Sequence, residues 1–339
     1  MRKRDATAAS PSRHAAIAAL ALLLTHGCVC TRSGPVPSPA RASGACVPTG
    51  RWVDPATDGL LRHEAVVARA ARARVVLLGE EHDVAEHHRW QLDVVSALLG
   101  RRDRVVLGFE AVARSAQTAL DDWSAGRIDA ATLLERTRWR ETWGVDPDLY
   151  LPLFHLARMH RIPVVALNVS RRLVVAVSRS GWAGVPAAER EGVGDPAPAT
   201  PAYRERLLAV YAEHACREPA QVRDAPAFQR FVDAQLTWDR AMAEALAAAG
   251  RAHPGALVIG IVGRGHLEDG ADAGVPYQLH ALGVRDVDVL LPWDAERSCA
   301  DLVPGIADAV FGVRAPADER AREQAARAAL RPPCPPPDR

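Results

Sequence analysis

Short apolar runs rich in Val, Leu and Ile recur along the chain at Arg74–Leu78, Arg104–Phe109, Pro163–Leu167, Ala256–Val262 and Asp286–Leu291. They are nearly continuous rather than alternating, the pattern of strands buried on both faces and therefore of a mainly parallel sheet. Between them the apolar spacing changes to that of helices. Over Val84–Leu99 it places His88, Leu92, Val95 and Leu99 on one stripe, with Gly100 as the stop, so His88 is expected to face the sheet. Longer helical stretches, Ser115–Arg138, Tyr203–His214 and Ala227–Ala249, exceed what a crossover needs. The pattern predicts an α/β fold: a mainly parallel sheet of about five strands flanked by helices, with a helical subdomain over one edge.

The amino terminus has Arg2, Lys3 and Arg4, then an apolar run from Ala15 to Leu24 and Gly27 before Cys28. This run is too short to span a bilayer but suits an export signal, with lipidation at Cys28 as the expected anchor. The Pro-, Ser- and Gly-rich stretch that follows reads as a tether. The expected organisation is a signal peptide over 1–27, a tether over 28–50, a main domain over 51–300, and a C-terminal helix with a Pro-rich tail over 301–339. On this reading the protein is exported to the cell envelope and held at a membrane by its lipid.

The chain has 339 residues and a formal net charge of +1, which removes the electrostatic case for nucleic acid as a partner. Lys3 is the only lysine, so arginine counts carry little weight by themselves. The six cysteines are widely spaced and contain no CxxC; their pairing does not follow from the sequence.

Chemistry concentrates where the predicted strands end. Gly79, Glu80, Glu81 and His82 follow the first run, and Gly263, Arg264, Gly265 and His266 follow the fourth, two copies of Gly-x-x-His. Glu110 closes the second run, and Asn168 with Arg171 follows the third. In an open parallel sheet these ends share one edge, where such folds bind ligands. Glu80, His82, Glu110 and His266 in one crevice suit either a divalent metal, with His82, Glu110 and His266 as ligands, or general acid–base chemistry. Each residue also has a structural explanation. Glu80 can be a first-turn acid, His82 a loop cap, Asn168 a turn former and His88 a hydrogen-bonded core histidine.

Taken together, Leu78-Gly79-Glu80-Glu81-His82-Asp83, His87-His88, Gly108-Phe109-Glu110, Ala166-Leu167-Asn168 with Arg171, and Gly263-Arg264-Gly265-His266-Leu267-Glu268 resemble the ChaN family. These are haem-binding lipoproteins of bacterial iron uptake, grouped through GxxH motifs with TIKI and TraB proteins and, more distantly, erythromycin esterases. The resemblance implies haem held by tyrosine, with Tyr150 in the matching segment, and arginines such as Arg171 and Arg264 for the propionates. His88 and Asn168 complete the implied cofactor set. It also allows a homodimer to share the haem and implies delivery to outer-membrane uptake machinery. The relatives equally allow a metal-dependent hydrolase, protease- or esterase-like, built on Glu80, His82, Glu110 and His266. The sequence leaves both readings open.

Overall fold

The computed structural model describes residues 45–314. The expected signal peptide, Cys28 and most of the expected tether lie outside these residues, as does the part after 314 of the C-terminal helix and Pro-rich tail expected over 301–339. Eight strands form one sheet: β1 (Trp52–Asp54), β2 (Gly59–Leu61), β3 (Val75–Glu80), β4 (Val105–Ala113), β5 (Val164–Asn168), β6 (Leu257–Gly263), β7 (Val287–Asp294) and β8 (Ala309–Val313). The order across it is β2-β1-β8-β7-β3-β6-β4-β5. The six strands from β8 to β5 run parallel, and β1 and β2 pair antiparallel at one side.

All five expected strands are present. The expectation of about five leaves out β1 and β2, each three residues and too short to give a local signal, and β8, a five-residue strand near the end of the described chain. Two expected boundaries also move. Val47, placed in the tether, is 1% exposed and packs in the core, and Thr49 bridges to Gly312. At the other end β8 adds a parallel strand beside β7, so the sheet extends past residue 300.

Helices among the described residues are α1 (His63–Ala70), α2 (Ala85–Leu99), α3 (Gln117–Ser124), α4 (Ala130–Arg136), α5 (Trp139–Thr142), α6 (Leu151–Met159), α7 (Arg171–Ser180), α8 (Pro201–Ala215), α9 (Pro219–Val222), α10 (Pro226–Ala252) and α11 (Gly274–Ala281). None is long and apolar enough to cross a membrane.

The near-continuous apolar runs are explained by two cores, one on each face. Along β3, Val76 and Leu78 enter the first core and Val75 and Leu77 the second. A separate apolar cluster joins Tyr203, Leu207 and Leu208 of α8 to Phe228, Val232 and Leu236 of α10, which is the expected helical subdomain.

The glycines of the two Gly-x-x-His copies serve close approach rather than a tight turn. Both lie inside strands and neither has a positive φ. A Cβ on Gly79 would come within 2.3 Å of Leu291 Cδ2, and one on Gly263 within 2.6 Å of His82 Cε1. The second of these glycines makes room for a site residue.

Candidate functional site

Strands β3, β6 and β4 are neighbours, and Glu80 lies opposite Gly263 in the β3–β6 register. That pairing brings together the two Gly-x-x-His copies, which the sequence separates widely. Glu110 enters from β4 where the pairing with β5 shifts between Phe109 and Ala113, an irregularity that frees its side chain. Its Oε2 accepts a 2.6 Å hydrogen bond from the Gly263 amide, fastening β4 to the second copy. Glu80, His82, Glu110 and His266 therefore converge, as expected.

Two similar relays make up the site. In the first, Glu80 is 2% exposed and is a hub. Its Oε1 accepts from His82 Nδ1 at 2.9 Å and from the Tyr150 hydroxyl, and its Oε2 accepts from Gln91 Nε2 at 3.0 Å. His88 places Nδ1 3.5 Å from the same carboxylate, while its Nε2 donates to the His82 carbonyl at 3.0 Å. In the second relay, Asp239 of α10, fully buried, accepts from His266 Nδ1 at 2.6 Å and from the Tyr203 hydroxyl at 2.7 Å. Each relay is thus a tyrosine, a carboxylate and a histidine, and the two histidines flank Glu110. His266 Nε2 is 3.7 Å from Glu110 Oε1. Tryptophans border both rings: Trp143 packs edge-on to His82 at 4.5 Å, and Trp238 to His266 at 6.1 Å.

The electrostatics follow from these bonds. Burial alone would raise Glu80, but the imidazoles of His88 and His82 and the Tyr150 hydroxyl hold its pKa down at about 2. Burial opposes the charge on His82, yet the bond to Glu80 and the charges on Glu110, Glu80 and Asp83 push it up to about 9. His266 is likewise raised against its burial by Glu110 and Asp239. His88 is lowered, chiefly by burial. Burial and the adjacent Glu80 carboxylate lift the Tyr150 phenol well above its ordinary range.

Stability should reflect these shifts. The Glu80 contribution is complete above its ordinary value of 4.5 and disappears as pH falls through about 2. That of His82 is complete below 6.5 and disappears as pH rises through about 9. His88, favoured neutral in the fold, costs stability progressively below 6.5. Urea unfolding followed against pH should therefore give a maximum near pH 6.5. Stability still climbing between pH 6.5 and 9 would contradict this account.

Several expectations need correction. His82, Glu110 and His266 do not form a metal-ligand set, and no group of three such side chains among the described residues does. Both Nδ1 atoms donate to carboxylates and Glu110 Oε2 accepts from a backbone amide, which leaves each ring its Nε2. Tyr150 is 1% exposed, and its phenol donates to Glu80 instead of facing a ligand. Arg264 is ion-paired with Glu81 and Glu268, which occupies the guanidinium expected to meet propionates. Asn168 accepts from the Val169 amide, its turn-forming role, and sits with Arg171 on β5 and α7. Since β5 is three strands away from β3, roughly 14 Å at the usual spacing, neither joins His82.

Asp239, Tyr203 and Gln91 are the members that the chain pattern did not single out as site residues. A signal existed for Asp239: an acid on the buried stripe Val232, Leu236, Asp239, Ala243 and Leu246 of α10, where an unpartnered charge would be costly.

Comparison with known proteins bears on what this edge does. The sequence profile of the family described as haem-binding uptake, Tiki superfamily, ChaN, matches residues 66–279, which include every member of both relays. Among solved structures, ChaN of Campylobacter jejuni, whose structure records cofacial haem binding, superposes with a TM-score of 0.61 at 19% identity, over 77% of this chain and 95% of that one. The erythromycin esterase EreC gives a TM-score of 0.42 at 15% identity, over 72% of this chain and 77% of the esterase. The type III effector HopBA1 gives 0.43 at 15%, over 74% and 92%. At these identities the likeness is one of fold. No curated protein sequence matches.

Proposed function

The chain belongs to the ChaN family of haem-binding uptake proteins in the Tiki superfamily, and on that premise we propose that it binds haem as cargo at the carboxyl edge of β3. The observation that carries the site is His82. Its side chain is 39% exposed, Nδ1 is bonded to Glu80, and Nε2 makes no hydrogen bond with a described residue. A histidine whose other ring nitrogen donates to a carboxylate is the usual form of an iron-ligating imidazole, because the carboxylate fixes the tautomer and raises ligand basicity. The donor set fits haem through His82 once Nε2 releases the proton it holds up to about pH 9, with Glu80 orienting the ring and Trp143 offering an apolar edge beside it. It does not support ligation by Tyr150, whose buried phenol would have to lose both its proton and its bond to Glu80.

Haem titrated into the purified protein should give a saturable shift of the Soret band at one haem per chain. No shift at any ratio would reject the reading. The proposal extends to an exported protein, anchored through Cys28, that hands haem to outer-membrane uptake machinery, alone or as a homodimer. Mass spectrometry of the mature amino terminus checks the anchor.

The second relay is the observation behind one other reading, a hydrolase acting through His266 and Glu110. His266 is oriented by Asp239 and faces Glu110, an arrangement suited to proton transfer. Both site histidines are shifted towards the protonated form, His82 to about 9, which favours proton donation over proton acceptance. Ester hydrolysis that rises with pH towards 9 and is lost in His266→Ala would support this reading; its absence, with haem bound, would leave the first alone.

A further inference from the structure

The opposite edge of the sheet carries an unbalanced charge. Because the central strands are parallel, the segments leading into β3, β4, β5 and β7 all lie at the amino edge. They present Arg72 and Arg74, Arg101 and Arg104, Arg161, and Arg285, all exposed. Only Asp103 and Asp286 oppose them in these segments. None of the six arginines forms an ion pair or a side-chain hydrogen bond among the described residues. At the carboxyl edge, by contrast, the arginines around the site are paired, Arg264 with Glu81 and Glu268, Arg206 with Asp269, and Arg297 with Glu268, and Arg171 on the outer strand's side is the exception. Six arginines without a partner thus share one edge of the sheet, the edge away from the site, while others such as Arg140, Arg179 and Arg217 lie scattered on helices and loops.

The shape of this edge matches the charge. Five adjacent strands, β7 to β5, make it about 20 Å wide at the usual spacing. A hollow of about 540 Å³ lies between the entries to β4 and β5, lined by Arg102, Arg104, Arg161 and His160. Beside it, at the end of α6, Met159 is 72% exposed. An apolar side chain projecting from a broad basic face is the combination that binds a lipid surface, with arginines on the phosphates and the thioether among the acyl chains.

We propose that the amino edge of the sheet docks on an anionic phospholipid surface. The chain then stands with its carboxyl-edge site turned away from the membrane and open to solvent. This does not depend on haem binding or on lipidation at Cys28.

Co-sedimentation with vesicles tests it, using the unlipidated full chain. Binding should be weak to phosphatidylcholine alone, rise with added phosphatidylglycerol, and fall as salt is raised. The Arg74→Glu/Arg104→Glu protein should lose about tenfold or more in affinity for the anionic vesicles. These two side chains hold no partner, so its thermal melt should match that of the parent. A control with the same charge change on α7 and just after α8, Arg179→Glu/Arg217→Glu, should bind as the parent does. Equal binding to neutral vesicles, parental binding by the Arg74/Arg104 variant, or equal loss in the control would overturn the proposal. So would duplex DNA displacing the protein from the vesicles at equal phosphate concentration, since the edge would then prefer a different polyanion.

Discussion

Haem titrated into the His82→Ala protein should fail to give the saturable Soret shift, while Tyr150→Phe should retain it. His82 offers the half-exposed imidazole at this edge, and its removal takes away the iron donor itself. The loss should therefore exceed the roughly 10- to 100-fold that follows from removing a group that merely orients a ligand. Glu80→Gln, which keeps the shape but weakens the orienting bond, should fall within that smaller range. Tyr150→Phe removes one hydrogen bond to a buried carboxylate and should lower stability by about 1.5–3 kcal/mol with haem binding intact. Gly263→Ala tests the same geometry from the other strand. Its φ of −56° is one alanine adopts freely, but the added Cβ would press on the His82 ring. Haem affinity should fall with little change in Tm. A normal Soret shift in His82→Ala, or its loss in Tyr150→Phe, would move the iron to a tyrosine and refute the assignment.

Glu80→Ala is expected to be the most destabilising single change at the site, by about 3–5 kcal/mol in urea unfolding at pH 6.5. The Glu80 carboxylate is 2% exposed and accepts from His82, Tyr150 and Gln91. Its removal leaves a charged imidazole, a phenol and an amide facing one another without an acceptor, in a place water barely reaches. The deficit should shrink as pH falls from 4.5 towards 2, because the parent protein protonates the same carboxylate over that interval. A loss below about 1 kcal/mol at pH 6.5, the value of an ordinary net hydrogen bond, would mean that the hub does not exist in solution.

His87 shows how thoroughly the first Gly-x-x-His copy is braced. It is fully buried, with Nδ1 accepting from the Glu81 amide at 2.9 Å and Nε2 donating to Asp294 at 3.0 Å, so it ties the turn after β3 to the end of β7. The tandem pair His87-His88 divides because neighbouring helix positions point in different directions. In the structure one serves the turn and the other the Glu80 hub. Neither faces solvent.

The chain's own pattern determined the five parallel strands, the inward placement of His88 and Val95 on α2, and the edge at which Glu80, His82, Glu110 and His266 would be found; Leu92 and Leu99, set on the same stripe, are only partly buried. Those features follow from burial on both faces and from the helical repeat, which are written into nearest neighbours along the chain. What the tertiary structure alone decided is who meets whom. The order β7-β3-β6-β4-β5 seats β3 against β6, so the two Gly-x-x-His copies touch, and it leaves Asn168 and Arg171 on the outer strand. It also brings Asp239 and Tyr203, from helices distant in sequence, to complete the second relay, and it turns Tyr150 inward onto Glu80. Local periodicity reports which side of an element is buried; the partner of a buried polar group depends on strand order and helix placement, which are settled only when the whole sheet covers its two faces.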